Sequence, residues 1–484
     1  MEGRIRAWWY GLQDSLWFIP SLCTAAAVLL ALLTVQIDQS IGTQRGASTE
    51  FIFGAGPSGA RQVLGVIAGT MITVTGVVFS ITIVALQLAS SQFTPRVLRA
   101  FTGDPANQIV LGVFIATFTY ALLVLRTIRE APSEDAQAFI PHLSVTVAVV
   151  LALVSIGFLI FYINHASHSI QASVIIDRAS GDTRRLVESL YPDDIGRPVN
   201  FAPVEAAAPE LSPAPIEARS SGYIQAIDAD ALFSLSEEKE VTIRLEHRLG
   251  DFVLSGARLA SIWPAERADD DVEKQVHHRI ILGHERTLQS DLELGFRQLA
   301  DIGIKALSLG INDPTTAIMC IDRLAEALII LARRREPSAV RTGEDGQARL
   351  ILPRPHFARM VDVAYTQMRH YGVGDVIVAE HLMTTLGQLA RLTPANRREP
   401  LLTAAHGLLE AAREQLTIAT DVERVETASR WMATYDSAGV SAVAAGQRDA
   451  AARGGDDWRF SGSGWSGSTP RTGRNSFSRL PSFS

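Results

Sequence analysis

Cysteine is almost absent from this 484-residue chain, which has only Cys23, in an apolar run, and Cys320, in a stretch with helical periodicity. Neither has a CxxC or CxH neighbour, which excludes a cysteine-based metal site and argues against a mutual disulfide. Such usage fits a chain in a reducing compartment, apart from short outer loops. Lysine is nearly missing too, confined to Lys239, Lys274 and Lys305, with arginine supplying the remaining positive charge. We read that bias as genomic base composition. The formal net charge of −7 gives no electrostatic basis for nucleic-acid binding. Catalytic fingerprints are also lacking: there is no GxSxG, HExxH, P-loop or dinucleotide motif to frame Arg286, Asp291, Asp301, Asn312 or Asp313. His277, His278 and His284 lack ligand spacing, so neither a metal nor another cofactor is expected, and an enzyme ranks third among the functional readings.

The most informative scarcity is of charge. The 47% hydrophobic content is ordinary, but apolar residues concentrate before residue 164 and charges after it. A hydrocarbon core about 30 Å thick needs roughly 20 apolar helical residues. Stretches at Leu16–Val35, Gln62–Ser90, Gln108–Leu125 and His142–Ile163 meet that length without a charge in their central portions. Arg4 and Arg6 precede the first as in a signal peptide, but its length and the lack of a small-residue pattern at Val35-Gln36-Ile37 favour a retained span. Arg4, Arg6, Arg96, Arg99, Arg178, Arg184 and Arg185 fall on one side, against Arg45, Arg61, Arg126 and Arg129 on the other, where acids offset them. The positive-inside bias therefore puts both termini in the cytoplasm. Trp8, Trp9, Tyr10, Trp17 and Phe18 form an interfacial aromatic belt at the first span.

The second stretch carries Gly65, Gly69, Thr73, Gly76, Ser80, Gln87 and Ser91 at spacings that keep them on one helical face. Small residues let helices approach closely, and Gly65-Gly69 is a GxxxG pair, so packing is one reading. The other is a hydrated pathway in a homo-oligomer, with Ser80 and Gln87 offering hydrogen bonds to a small ion or solute. No carboxylate lies at a span centre, which counts against a proton-coupled pump. Pro95 breaks the helix at its inner mouth, where Arg96 and Arg99 meet lipid phosphate or set a vestibule's charge. His165 and His168 share a face beyond the fourth span and read as a polar helix end rather than a metal site.

The expected fold class is an α-helical membrane protein with four transmembrane helices (1–165) and a cytoplasmic region. A juxtamembrane helix (Ser169 to Leu190) and a Pro/Ala-rich linker occupy 166–215. Alternation and turn glycines predict a small β-rich module at 216–265, with a weak likeness to lipoyl-type barrel-sandwich modules but no lysine at a carrier turn. A helical domain follows at 266–437, and an Ala/Gly/Ser/Arg-rich disordered tail at 438–484. The most regular helical pattern runs from Glu285 to Ser308, turns at Leu309–Pro314, and continues from Thr315 to Arg335. Gly310 suits a left-handed closing position, Asn312 or Asp313 a cap, and Pro314 a first turn. Arg297, Asp301 and Lys305 form an alternating-charge row at i+4 spacing.

The runs Thr70–Val74, Ser80–Thr82 and Gln87–Phe93, with Arg286-Thr287, Asp301-Ile302 and Gly310–Pro314, resemble a bacterial family of predicted membrane proteins, domain of unknown function 2254, over about residues 5 to 435. Many relatives read Ser-Pro-Gly before Ile-Asn-Asp-Pro, where this chain has Leu309 in the proline position. The resemblance implies a four-span protein of the bacterial inner membrane and supplies no activity. The leading expectation is an oligomeric, channel-like or transport-related protein embedded in the lipid bilayer with a cytoplasmic sensing domain. The alternative is a membrane-anchored scaffold or regulator.

Overall fold

The computed structural model describes residues 17–42, 56–93, 104–129, 139–191, 212–288 and 291–435. The expected disordered tail, most of the Pro/Ala linker, the aromatic cluster at 8–10, Pro95, Arg96 and Arg99 lie outside the described residues.

Among the described residues, four helices are long and apolar enough to cross a membrane: α1 (Phe18–Gly42), α2 (Pro57–Gln92), α3 (Pro105–Thr127) and α4 (His142–Ser169). Each matches an expected stretch, extended by a few residues at one or both ends. Proline at the first turn starts α2 and α3, where its missing N–H costs nothing. α3 is the most buried and packs against the other three. Small residues permit this: a Cβ on Gly112 of α3 would lie 2.9 Å from Cys23 Sγ of α1. Outward-facing Leu22, Leu29, Leu153 and Ile160 are each more than 60% exposed, an apolar surface suited to acyl chains.

Within this bundle, hydroxyl pairs and one carboxyl group serve as tie points. Thr34 of α1 meets the Tyr120 hydroxyl of α3 at 2.8 Å, and Tyr120 donates to the Ser144 carbonyl of α4 at 3.2 Å. Thr117 meets Ser155 at 3.0 Å, and Thr82 meets Tyr162 at 2.7 Å. Asp38 of α1 closes the start of α4, accepting from Leu143 N, Ser144 N and Ser144 Oγ at 2.9, 2.9 and 2.6 Å. The first N–H groups of a helix lack internal partners and carry partial positive charge, so this carboxyl is well placed.

After a break at Ile170-Gln171, α5 (Ala172–Leu190) leads into the C-terminal region. A five-stranded sheet has the order β1 (Ala214–Glu217), β5 (Arg258–Trp263), β3 (Thr242–Leu245), β8 (Ala348–Ile351), β7 (Val340–Thr342). A three-stranded sheet joins β4 (Phe252–Val253), β2 (Gly222–Ile227) and β6 (Ile280–Gly283). Their shared core holds Ile224, Leu232, Ile243, Leu259, Ile262 and Leu350. Two features depart from a small β-rich module confined to 216–265. Residues Ala229–Glu238 form a helix, α6, because Asp228 caps it through Ala231 N and its apolar residues recur at helical spacing. The sheet also takes a hairpin from distant sequence, with β8 parallel to β3.

The helical elements that follow are α7 (Asp270–Arg279), α8 (Leu292–Ala306), α9 (Pro314–Arg333), α10 (Phe357–Gly372), α11 (Val376–Leu392), α12 (Glu399–Gln415) and α13 (Ala419–Ser429). α8 starts seven positions later than Glu285, since Asp291 caps it through Leu294 N and the preceding chain enters β6. α10 and α11 are divided where Asp375 accepts from Ile377 N and Val378 N.

Candidate functional site

α2 presents two faces. Ala60, Leu64, Ala68, Met71, Val78, Thr82 and Ala89 are buried against the bundle. Gly65, Gly69, Thr73, Gly76, Ser80, Gln87 and Ser91 are all exposed. At 3.6 residues per turn the two sets are centred about 160° apart around the helix. A Cβ built at Gly65, Gly69 or Gly76 would meet nothing within 4 Å. The small-residue face therefore does not serve contacts with this chain's own α1, α3 or α4. Thr73 donates to Gly69 O at 2.8 Å and Ser91 to Leu88 O at 3.0 Å, so these hydroxyls are satisfied by their own helix. Val66, Ile81, Val84 and Leu88 are exposed beside it.

The 36-residue α2 is longer than its neighbour α3. Arg61 donates to Ile128 O at 3.1 Å, which aligns the start of α2 with the end of α3. At about 1.5 Å per residue along both antiparallel helices, Pro105 falls level with about residue 84 of α2. Gln87 and Ser91 thus project past the start of α3, while Gly65, Gly69, Thr73, Gly76 and Ser80 lie alongside it.

At that same end, Asp104 joins three elements. It caps α3 through Ala106 N at 3.0 Å and meets His165 Nε2 of α4 at 3.1 Å and an Arg178 nitrogen of α5 at 3.2 Å. Burial pushes the Asp104 carboxyl upward, but the Ala106 N–H, His165 and Arg178 outweigh it and hold the group below its ordinary range. His165 is thus tied to a carboxylate, while His168 bonds the Asn164 carbonyl at 2.8 Å. Among the described residues, no group of three or more His, Cys, Asp or Glu side chains is arranged to hold a metal.

The C-terminal motif residues divide between two places. Arg286 makes a two-pronged contact with buried Asp291, Nε to Oδ2 at 2.6 Å and a terminal nitrogen to Oδ1 at 2.9 Å. Glu293 accepts both prongs of Arg359, at 3.2 and 3.0 Å, and lies 3.9 Å from Arg297. Gly250, at φ +85°, seats the β3–β4 loop on this cluster. Its Cβ position lies 2.1 Å from Asp291 Oδ2. Arg297 thus pairs one turn back, with Glu293, and Asp301 and Lys305 sit further along α8 towards the turn. At that turn Asp313 caps α9, accepting from Thr316 N at 3.1 Å, and Pro314 occupies the first helical position. The left-handed residue is Asn312, at φ +49°, rather than Gly310. The Asn312 N–H reaches Ser308 O and the Asp313 N–H reaches Ala306 O, which sets the strained position next to the cap. Leu309 at the tip is fully exposed.

Asp38, Asp104, Tyr120 and Tyr162, which hold the helices together, carry no motif. A signal for the first two was present in retrospect: each is an isolated acid within reach of a helix start. Pairing Asp38 with α4 requires knowing which helices are neighbours.

An apolar four-helix bundle with an exposed belt, joined through α5 to a mixed β and helical region, defines a multi-span membrane protein. Residues 13–388 match the family described as Predicted membrane protein (DUF2254), and the chain belongs to that family. Uncharacterized proteins of Mycobacterium bovis and of two strains of Mycobacterium tuberculosis are each 35% identical over 418 residues, covering 85% of this chain and 78% of theirs. No solved structure matches.

Proposed function

We propose that this protein is an oligomeric, channel-like or transport-related protein of the bacterial inner membrane, with α2 of each copy lining or bordering the conduction path. One observation carries the reading: the Gly65–Ser80 strip is turned about 160° from the face α2 buries in its own bundle. Glycine and hydroxyl side chains offer acyl chains less apolar surface than the leucines of α1 or α4 do, and they suit a second helix or water. In this reading both termini are cytoplasmic, and the region beyond α5 senses a signal. The Asp104–His165–Arg178 cluster would transmit it, since it ties α5 to the ends of α3 and α4.

A membrane-anchored regulator whose copies meet along the same strip is the second reading. The internal bond of Thr73 to Gly69 O favours it, because a satisfied hydroxyl can sit in a dry helix–helix seam. Flux measurement separates the two. Purified protein in liposomes is expected to pass ions or small solutes under voltage, tension or osmotic shift. A wide solute panel giving no flux, with the oligomer intact, would remove the conduction reading.

A further inference from the structure

A cavity of about 230 Å³ lies where α5, the β-sheets and the start of α8 meet. Its lining is mainly aliphatic, and its polar groups come from Tyr191, Arg248, Asp291, Glu293 and Arg354. The two acids are already engaged. Asp291 holds Arg286 and the N–H of Leu294, and Glu293 holds Arg359. The two cations differ from them. Among the described residues, Arg248 has a loose pair with Asp251, at 3.8 Å, and a longer-range attraction to Glu293. Arg354 is half-buried, and its fully buried Nε has no hydrogen-bond partner among the described residues.

A guanidinium keeps its charge under any ordinary condition, so it cannot escape burial by losing a proton. A half-buried guanidinium whose enclosed Nε lacks a partner is stabilised by any group that brings the opposite sign to its more accessible terminal nitrogens. Among the described residues no carboxylate pairs with it. Burial pushes the Tyr191 phenol up to about 12, so it stays neutral, and its hydroxyl is spent on the Pro355 carbonyl at 2.9 Å. Burial draws Arg354 below its ordinary value; Tyr191 opposes that shift and Arg341, of the same sign, adds to it.

We infer that this cavity binds a small organic anion, its oxyanion head on Arg354 with Arg248 beside it and its hydrocarbon body against the aliphatic wall. Size limits the ligand: a dry cavity of about 150 Å³ accepts benzene, so this one takes a ring or short chain bearing one acid group. Carboxylate and phosphate both qualify as the head, since a guanidinium fork fits either. Because Tyr191 ends the helix that leaves the membrane bundle, the occupied cavity sits where a cytoplasmic signal would have to enter. That last step rests on the proposed function; the binding site does not.

The test is calorimetric titration of the full-length protein in detergent, with empty micelles as reference. Benzoate is the carboxylate probe, phenyl phosphate the phosphate probe, and benzamide the neutral isostere. Saturable binding of benzoate or phenyl phosphate is expected, with benzamide inert, and the tighter of the two identifies the head group. Arg354→Met is expected to weaken the anion by about tenfold or more, the loss of a charge-assisted hydrogen bond. Should that variant fail to fold, Ile227→Trp, which fills the cavity and leaves Arg354 in place, is expected to abolish binding. Absent anion binding by the wild-type protein, equal binding of benzamide, or unchanged affinity in the folded Arg354→Met or Ile227→Trp protein would overturn the site. The assay reads no conduction, so its failure and the failure of the flux experiment are separate results.

Discussion

Replacing Gly250 with alanine tests whether the β3–β4 loop is locked onto the Arg286–Asp291 pair. Two costs add. Holding alanine at φ +85° costs about 1–2 kcal/mol relative to glycine. The new methyl would lie 2.1 Å from Asp291 Oδ2 and 2.9 Å from Arg286 Nε, so the carboxylate must move. That carboxylate is buried, receives both prongs of Arg286 and caps α8, and breaking such a pair costs about 3–5 kcal/mol. The total is about 4–7 kcal/mol, an upper bound because the loop can yield. Gly256 supplies the control, since it has φ +82° and nothing within 4 Å of its Cβ position. Gly256→Ala therefore carries the backbone cost alone, about 1–2 kcal/mol. Hydrogen exchange of the intact protein reads the difference locally. Gly250→Ala is expected to raise the opening constant at the start of α8 by about two to three orders of magnitude, and Gly256→Ala to leave it unchanged. Equal exchange at Leu292–Phe296 in the two variants would refute the contact.

Other perturbations follow from the same geometry. Asp38→Ala removes three hydrogen bonds to the start of α4 and is expected to cost about 2–4 kcal/mol in detergent, with Asp38→Asn losing roughly half, read as thermal midpoints by fluorescence-detected gel filtration. Asp104 has a lowered folded-state value, so its contribution is complete above the ordinary carboxylate range, about pH 4, and disappears as pH falls through the lowered value. The wild type is thus expected to lose protection of α5 in acid by hydrogen exchange. Asp104→Asn should be less protected at neutral pH and lack that acid-dependent loss. Gly69→Leu adds a side chain where the single chain has open space, so the folded monomer is expected to persist while the proposed oligomer is lost from cross-linking.

Much of this architecture was legible in the chain itself, for physical reasons. A bilayer demands long uncharged helices, so four spans stand out by length alone. The Asn312-Asp313-Pro314 turn was readable because cap and proline chemistry is local, although the left-handed residue proved to be Asn312, whose amide reaches back to Ser308. What was not legible depends on contacts distant in sequence. The β7–β8 hairpin enters the sheet from residues 340–351, and Asp38 meets α4 more than a hundred positions away. Helix α6 was hidden because its ten residues lie between strands whose alternation dominates that stretch. For the candidate site, spacing grouped the small residues of α2 but could not tell which face the bundle would claim. The length of α3 then placed Gln87 and Ser91 beyond its end.

The claim on which the functional reading stands is that the Gly65–Ser80 side of α2 meets water or another copy instead of acyl chains. Single cysteines at Thr73 and Ser80, in a background with Cys23 and Cys320 replaced by alanine, measure this directly against Leu153→Cys, which projects from the exposed apolar surface of α4. In native membranes, labelling of Thr73→Cys and Ser80→Cys by a water-soluble thiol reagent well above the Leu153→Cys level is the result expected of a hydrated path. Oxidative cross-linking between copies without labelling would place the strip in a dry seam and favour the regulator. If both cysteines behave like Leu153→Cys, unlabelled and uncross-linked, the strip faces lipid and the account is contradicted.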